Sequence, residues 1–147
     1  MAYKTKYIPK NKEKYIGDVE NIVCRSLWER TVCKFCDEHP NILKWASEEI
    51  AIPYMDPIEN KLRNYYPDFL IEFDENGTKK VWMVEVKPAK QLFLKENSTK
   101  KEKYVWAINN AKWKAAKSYC DKYNIEFKVI TEKELFNKCQ APRTKTL

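Results

Sequence analysis

PDFLIEFDENGTKKVWMVEVKP, residues 67–88, decides the fold. Apolar and polar side chains alternate on both sides of Asn76-Gly77, the dipeptide that most strongly signals a two-residue type I′ hairpin turn. With those two residues as the loop, Glu75 pairs with Thr78, Asp68 falls opposite Glu85, and Tyr66 falls opposite Lys87. Asp68, Glu85 and Lys87 then share one face, while Phe69, Ile71, Phe73, Trp82, Val84 and Val86 fill the other. Two carboxylates facing each other across a sheet cost from a few tenths to about 1 kcal/mol. A hard divalent cation between them, Mg²⁺ or Mn²⁺, would offset that cost. Lys87 points the same way and can hold a water or a developing negative charge. The plain alternative is a Glu–Lys pair at a strand end, worth little. Glu-x-Lys alone is a weak signal. Pro-Asp, sixteen residues with an Asn-Gly turn, then Glu-Val-Lys is a far stronger one.

Upstream, residues 20–38 carry a helical pattern, with Val23, Cys24, Leu27, Trp28, Thr31, Val32 and Phe35 on one face. Asp18 is the expected N-cap and Pro40 the stop. Glu29 falls on the border of that face, where it can reach the rim of a core or a site. A short strand is expected near 48–54, then a polar connection through Asp56-Pro57 to Arg63. Downstream, a loop over 88–100 leads to a second long helix near 101–123, a strand over 125–131 and a short helix over 132–138. The order is helix, three strands, helix, strand, helix, an α/β domain with a mixed sheet between helices. In the second helix the apolar face is formed by Tyr104, Val105, Ile108, Ala111, Ala115 and Tyr119, and Lys112 projects into its middle. A lysine there either snorkels to water or reaches an acidic or anionic site. Trp106 and Trp113 lie off that face and are expected to pack.

With 147 residues the chain suits a single domain. No run approaches the ~20 apolar residues that span a bilayer, so no membrane partner is expected. The net charge of +7 is concentrated. Residues 1–16 hold five lysines against Glu13, and residues 90–122 hold nine against Glu96, Glu102 and Asp121. Such blocks suit a polyanion; the lysines at 90, 95, 100, 101 and 103 (Lys90, Lys95, Lys100, Lys101, Lys103) are candidate DNA contacts. No recognition helix or zinc finger is evident, so those lysines would grip backbone phosphates with little sequence preference. Five cysteines, an odd number without a secretory signal, are expected to be reduced thiols. Cys33-x-x-Cys36-x-x-His39 has metal-like spacing. Cys24 would fall about 180° around the helix from Cys33, so a structural zinc is not expected.

Pro67-Asp68 with Glu85-Val86-Lys87 resembles the signature of the PD-(D/E)xK nuclease superfamily. The resemblance implies a restriction-endonuclease-like core, a mixed four-stranded sheet flanked by helices in the order αβββαβ. It also implies four roles: Asp68 and Glu85 ligate Mg²⁺ (with Mn²⁺ able to substitute), the Val86 carbonyl adds an oxygen, Lys87 positions the attacking water, and Glu29 completes the shell. Lys112 is then a second partner of the carboxylates or a phosphate contact. Metal-assisted in-line attack on a phosphodiester, leaving 5′-phosphate and 3′-hydroxyl ends, is the implied chemistry.

The stretches YIPKNKEKYIGD, RSLWE, IPYMDP, PDFLIEF, VEVKP and NNAKWKAAKSYCDKYNIEFKVITE, in that order, are similar to the head-completion nucleases of T-even-like tailed phages. The nuclease half of heteromeric transposases is similar from RSLWER to ITE. Residues 1–18, lysine-rich and without a clean period, read as a basic N-terminal arm that is irregular or a short helix; 19–139 form the nuclease domain and 140–147 a flexible tail. The phage likeness implies DNA as substrate, phage portal or neck proteins as partners, and a location in the cytoplasm of the infected host and at the portal vertex of the virion head. A single-site enzyme making a double-strand cut would act as a homodimer. The alternatives are a structural DNA-binding head-completion protein with a vestigial site, and a transposase-type end-cleaving nuclease.

Overall fold

The hairpin forms in the register that its turn demands. In a computed structural model, which describes residues 4–135, β6 (Phe69–Glu75) and β7 (Thr78–Val86) pair antiparallel from Glu75↔Thr78 to Phe69↔Val84. Asn76 and Gly77 take φ of 53° and 85°, as a type I′ turn requires. Phe69, Ile71, Phe73, Trp82, Val84 and Val86 enter one buried cluster, while Met83 joins a second on the opposite face. Burying each large side chain of this kind contributes about 1.5–3 kcal/mol.

Around that hairpin the four-stranded sheet runs β3-β6-β7-β8, with β3 (Ile42–Ser47) antiparallel to β6, and β8 (Glu126–Ile130) parallel to β7. Helix α1 (Leu27–Glu38) covers one face and α2 (Lys100–Tyr123) serves the other. The core order α1, β3, β6, β7, α2, β8 is the expected αβββαβ with a mixed sheet. α2 begins at Thr99, which forms a capping box with Glu102, and ends at Asn124 in a left-handed conformation.

Three elements differ from expectation. α1 starts at Leu27, not near residue 20, because Ser26 is its N-cap and accepts a hydrogen bond from the Glu29 N–H. Asp18 caps a separate 3-10 turn, Val19–Asn21. Between them β2 (Val23–Cys24) is extended and pairs with β1 (Thr5–Lys6). Cys24 is therefore not on the helix, and its sulfur lies 3.4 Å from that of Cys33, both as buried free thiols. The strand expected over 48–54 is confined to Ile52–Met55; residues 48–51 are not strand, and β3, at Ile42–Ser47, was not expected. β3 ends at Ser47, Glu48 turns through φ 55°, and β4 (Ile52–Met55) leaves the main sheet to pair with β5 (Leu62–Tyr65). The tight connection closes on Asp56, whose carboxylate accepts from the N–H groups of Ile58 and Glu59 and from Arg63. On α2 the buried ridge is Asn109, Ala116 and Cys120, with Ile108, Ala111, Trp113, Ala115 and Tyr119 partly buried beside it; Val105 is exposed.

Residues 4–18, read above as a basic arm, lie against α1 and β3. Tyr7 and Tyr15 are buried on Trp45, and Tyr7 donates to Asp37. The C-terminal helix is helical at residues 132–135. Its remainder, Cys139, the end of the nuclease domain and the tail over 140–147 lie outside the described residues.

Candidate active site

Where the two inner strands of the sheet approach Pro67 and Pro88, the alternation that builds the core delivers acids to the α2 face. Glu85, on β7, is buried. Asp68, immediately before β6, accepts a 2.8 Å hydrogen bond on Oδ2 from the Val86 N–H. That bond fixes Asp68 beside the end of β7, as the hairpin register predicts. Glu85 uses Oε1 to accept from the Tyr65 hydroxyl at 2.5 Å, and Oε2 lies 3.7 Å from Lys87 Nζ. Burial first, and then the nearby Glu85, hold the Asp68 carboxyl well above its ordinary value. Burial also raises Glu85, against the pull of Tyr65, Lys87 and Lys112 toward the ionised form. The phenol of Tyr65 is pushed up by burial and by the adjoining Glu85.

Glu29 arrives from the first turn of α1. The turn is set by the Ser26 cap, and the Glu29 side chain reaches back to accept from the Arg25 N–H at 3.0 Å. Burial raises its carboxyl too, with the like charges of Glu48 and Glu85 adding to the effect. Carboxylate oxygens of Glu29, Glu48 and Asp68 lie within 4.8 Å of one another. Glu48 was not expected here. It is brought in by its left-handed backbone at the end of β3, where its N–H donates to the Asp68 carbonyl at 3.2 Å. An L-residue in that region is uncommon, and keeping it costs on the order of 1 kcal/mol. Arg25 grips Glu48 through two hydrogen bonds, Nε to Oε2 at 2.9 Å and Nη2 to Oε1 at 3.2 Å.

These groups open onto a cleft of about 500 Å³ lined by Arg25, Glu48, Asn64, Tyr65, Tyr66, Asp68, Glu85 and Lys112. Lys112 lies between the rings of Tyr54 and Tyr65, its Nζ 6.0 and 5.8 Å from their centres. It is also close enough to Glu85 to favour the ionised form of that carboxyl. Lys87 and Lys112 both line the adjoining hollow with Tyr54, Asp56 and Arg63. The structure therefore gathers Glu29, Asp68, Glu85, Lys87 and Lys112 in one place. Lys90, Lys95 and Lys101 line a different groove with Phe93 and Trp106, at the start of α2. Lys100 and Lys103 are exposed on its first turn.

The sequence reading missed Arg25, Glu48 and Tyr65. A pointer to Tyr65 did exist, since Tyr-Tyr-Pro-Asp places an aromatic hydroxyl just ahead of the key aspartate. The donor set is all hard oxygen, crowded and partly withdrawn from water, with three carboxyl groups held above their ordinary values. That is the environment a hard divalent cation satisfies.

Comparison with known proteins agrees with this chemistry. Residues 39–132 match the family described as TnsA-like endonuclease N terminal. The chain is 38% identical over 139 residues, 90% of its own length and 93% of the relative's, to the head completion nuclease of Enterobacteria phage T4. No solved structure matches it significantly. The acid-lined sheet end is thus that of a restriction-endonuclease-like fold, and the chain belongs to the TnsA-like endonuclease family.

Proposed function

We propose that this protein is a divalent-cation-dependent DNA endonuclease that serves phage head completion, processing DNA ends at the portal after packaging. One observation carries the enzymatic part. Asp68, beside the end of β7, and Glu85 line one cleft with Lys112, Glu29 of α1 brings its carboxylate within 4.8 Å of that of Asp68, and Lys87 lies beside Glu85 in the adjoining hollow. The head-completion part is supported by likeness to the T4 protein along nearly its whole length.

In this reading Asp68, Glu85 and Glu29 hold the cation, with the Val86 carbonyl as a further oxygen. Mg²⁺ is the expected ion and Mn²⁺ its substitute. When bound, the ion supplies Lewis-acid stabilisation of phosphoryl charge and lowers the pKa of water. The chain's own residues do the rest. Lys87 holds the attacking water and offsets the charge that gathers on the phosphoryl oxygens. Tyr65 keeps the Glu85 carboxylate oriented and favours its ionised form. Lys112, flanked by aromatic rings, faces the same anion from α2. Lys90, Lys95, Lys100, Lys101 and Lys103 grip backbone phosphates farther along the strand, without reading bases. Portal or neck proteins are the partners this reading requires, and paired copies would make a double-strand cut.

The test is incubation of wild type, Asp68→Ala, Glu85→Ala and Lys87→Ala with linear, circular, single-stranded and branched DNA in Mg²⁺ or Mn²⁺. Wild type should cut at least one substrate. Each variant should lose more than about a hundredfold in rate, the scale of removing one transition-state contact, while still binding DNA. Failure of wild type to cut any of them would defeat the enzymatic reading and leave a DNA-binding assembly protein.

A further inference from the structure

Arg25 is the cation that the α1 side contributes to this site. It sits between β2 and the Ser26 cap, and touches two of the acids at once. Its backbone N–H is given to Glu29, and its guanidinium to both oxygens of Glu48. The side chain remains 54% exposed, whereas that of Glu48 is 24% exposed, so the pair presents arginine to the cleft. Of the five N–H donors of a guanidinium, two are spent on Glu48, and among the described residues the other three meet no hydrogen-bond acceptor. A planar, permanently charged fork held in this way is suited to a phosphodiester oxygen.

Glu48 has a different status from its neighbours. Both its oxygens are already engaged by Arg25. Its backbone is kept in the left-handed region (φ 55°), although nothing in the side chain favours that conformation. The turn places the carboxylate where it holds the guanidinium on the wall of the cleft that Lys112 also lines. On this basis, and resting on the nuclease reading above, we propose that Arg25 binds a phosphate of the DNA strand next to the bond being cut. Glu48 is the positioning residue that orients it. The ligand is a phosphodiester held between Arg25 on the α1 side and Lys112 on the α2 side. Glu48 is then not a ligand of the cation, in spite of its nearness to Glu29 and Asp68.

The experiment compares wild type with Arg25→Gln, Arg25→Lys, Glu48→Gln and Glu48→Asn in three measurements. These are calorimetric titration with Mn²⁺, DNA affinity without divalent ions across a salt series, and steady-state cleavage. Asparagine tolerates the left-handed backbone, so Glu48→Asn guards against simple misfolding, and its melting temperature should equal or exceed that of wild type. For Arg25→Gln we expect Mn²⁺ affinity within about threefold of wild type, DNA affinity lower on the order of tenfold, and a salt slope smaller by about 1. Both Glu48 variants should keep Mn²⁺ affinity and the full salt slope, because the arginine is still present. They should lose cleavage rate at saturating DNA, because it is no longer aimed. Arg25→Lys should recover the salt slope but not the rate.

A loss of Mn²⁺ affinity beyond tenfold in Glu48→Gln, with DNA binding intact, would make Glu48 a metal ligand and overturn the proposal. An unchanged salt slope and rate in Arg25→Gln would overturn it as well, while wild-type cleavage in the same assay kept the nuclease reading in place. Wild-type protein that neither bound nor cut DNA would overturn both.

Discussion

Tyr65 and Glu85 form the shortest hydrogen bond at the cleft, 2.5 Å, between a buried phenol and a buried carboxylate. The phenol comes from β5, outside the main sheet, so a small satellite ribbon sets the orientation of a residue on the central strand. Groups that hold a metal-binding carboxylate from behind typically change metal affinity by about 10- to 100-fold when removed. Tyr65→Phe should therefore weaken Mn²⁺ binding by that order in a calorimetric titration. Far-ultraviolet circular dichroism should be unchanged, since the ring still packs. Unaltered affinity would mean that Glu85 is oriented by its strand and Lys87 alone.

At the scale of elements, two local devices put the acids where they are. The Ser26 cap fixes the first turn of α1, and with it Glu29. Ser26→Ala should cost about 1 kcal/mol in urea unfolding and, if Glu29 holds the cation as proposed, reduce cleavage as well, since the same bond places that acid. The other device is the Asn76-Gly77 turn. Nothing lies within 4 Å of a Cβ added at Gly77, yet its φ is 85°, so substitution there tests backbone conformation without a steric clash. Gly77→Val should lower stability by about 1–2 kcal/mol, read from the urea midpoint at unchanged m-value.

These two elements also separate what could be read in the sequence from what could not. The hairpin was legible because turn chemistry, alternation and length all point to one register. That register carried Asp68, Glu85 and Lys87 to one face. The start of α1 was not, since Val23 and Cys24 fit a helical face as well as an extended pair, and only the partner strand at Thr5–Lys6 decides between them. Glu48 and Arg25 were invisible for a related reason. Their meeting depends on one left-handed residue between β3 and β4, at a position that the sequence reading made the start of a strand. Long-range contact through an irregular turn leaves no periodic trace.

Across the whole molecule, buried acids are treated in opposite ways on the two faces of the sheet, and acid titration should expose the difference. On the α1 face Asp37 is fully buried. Burial works against its charge. The N–H groups of Lys10 and Asn11 and the Tyr7 hydroxyl outweigh that, and its pKa lies below the ordinary value. A depressed carboxyl stabilises the fold above its unfolded pKa and loses that contribution as pH falls through the folded one. This residue ties the N-terminal segment to α1, so Asp37→Asn should cost about 1–3 kcal/mol at pH 7, with the deficit narrowing below the ordinary carboxylate range. On the α2 face Asp68 is raised, chiefly by burial and by Glu85. A raised carboxyl has the opposite sign: the fold is favoured while the group is protonated, and stability falls as pH rises through the folded pKa. Without divalent ions, Asp68→Asn should therefore stabilise the protein at pH 7, as removal of a functional charge commonly does. The gain should disappear near pH 3, where the wild-type aspartate is also neutral in both states. Thermal melts of the two variants and wild type at pH 7 and pH 3, all in a chelator, would read both signs at once. Saturating Mn²⁺ at pH 7 should then reverse the order for Asp68→Asn alone, because only wild type retains the charge that the ion would repay.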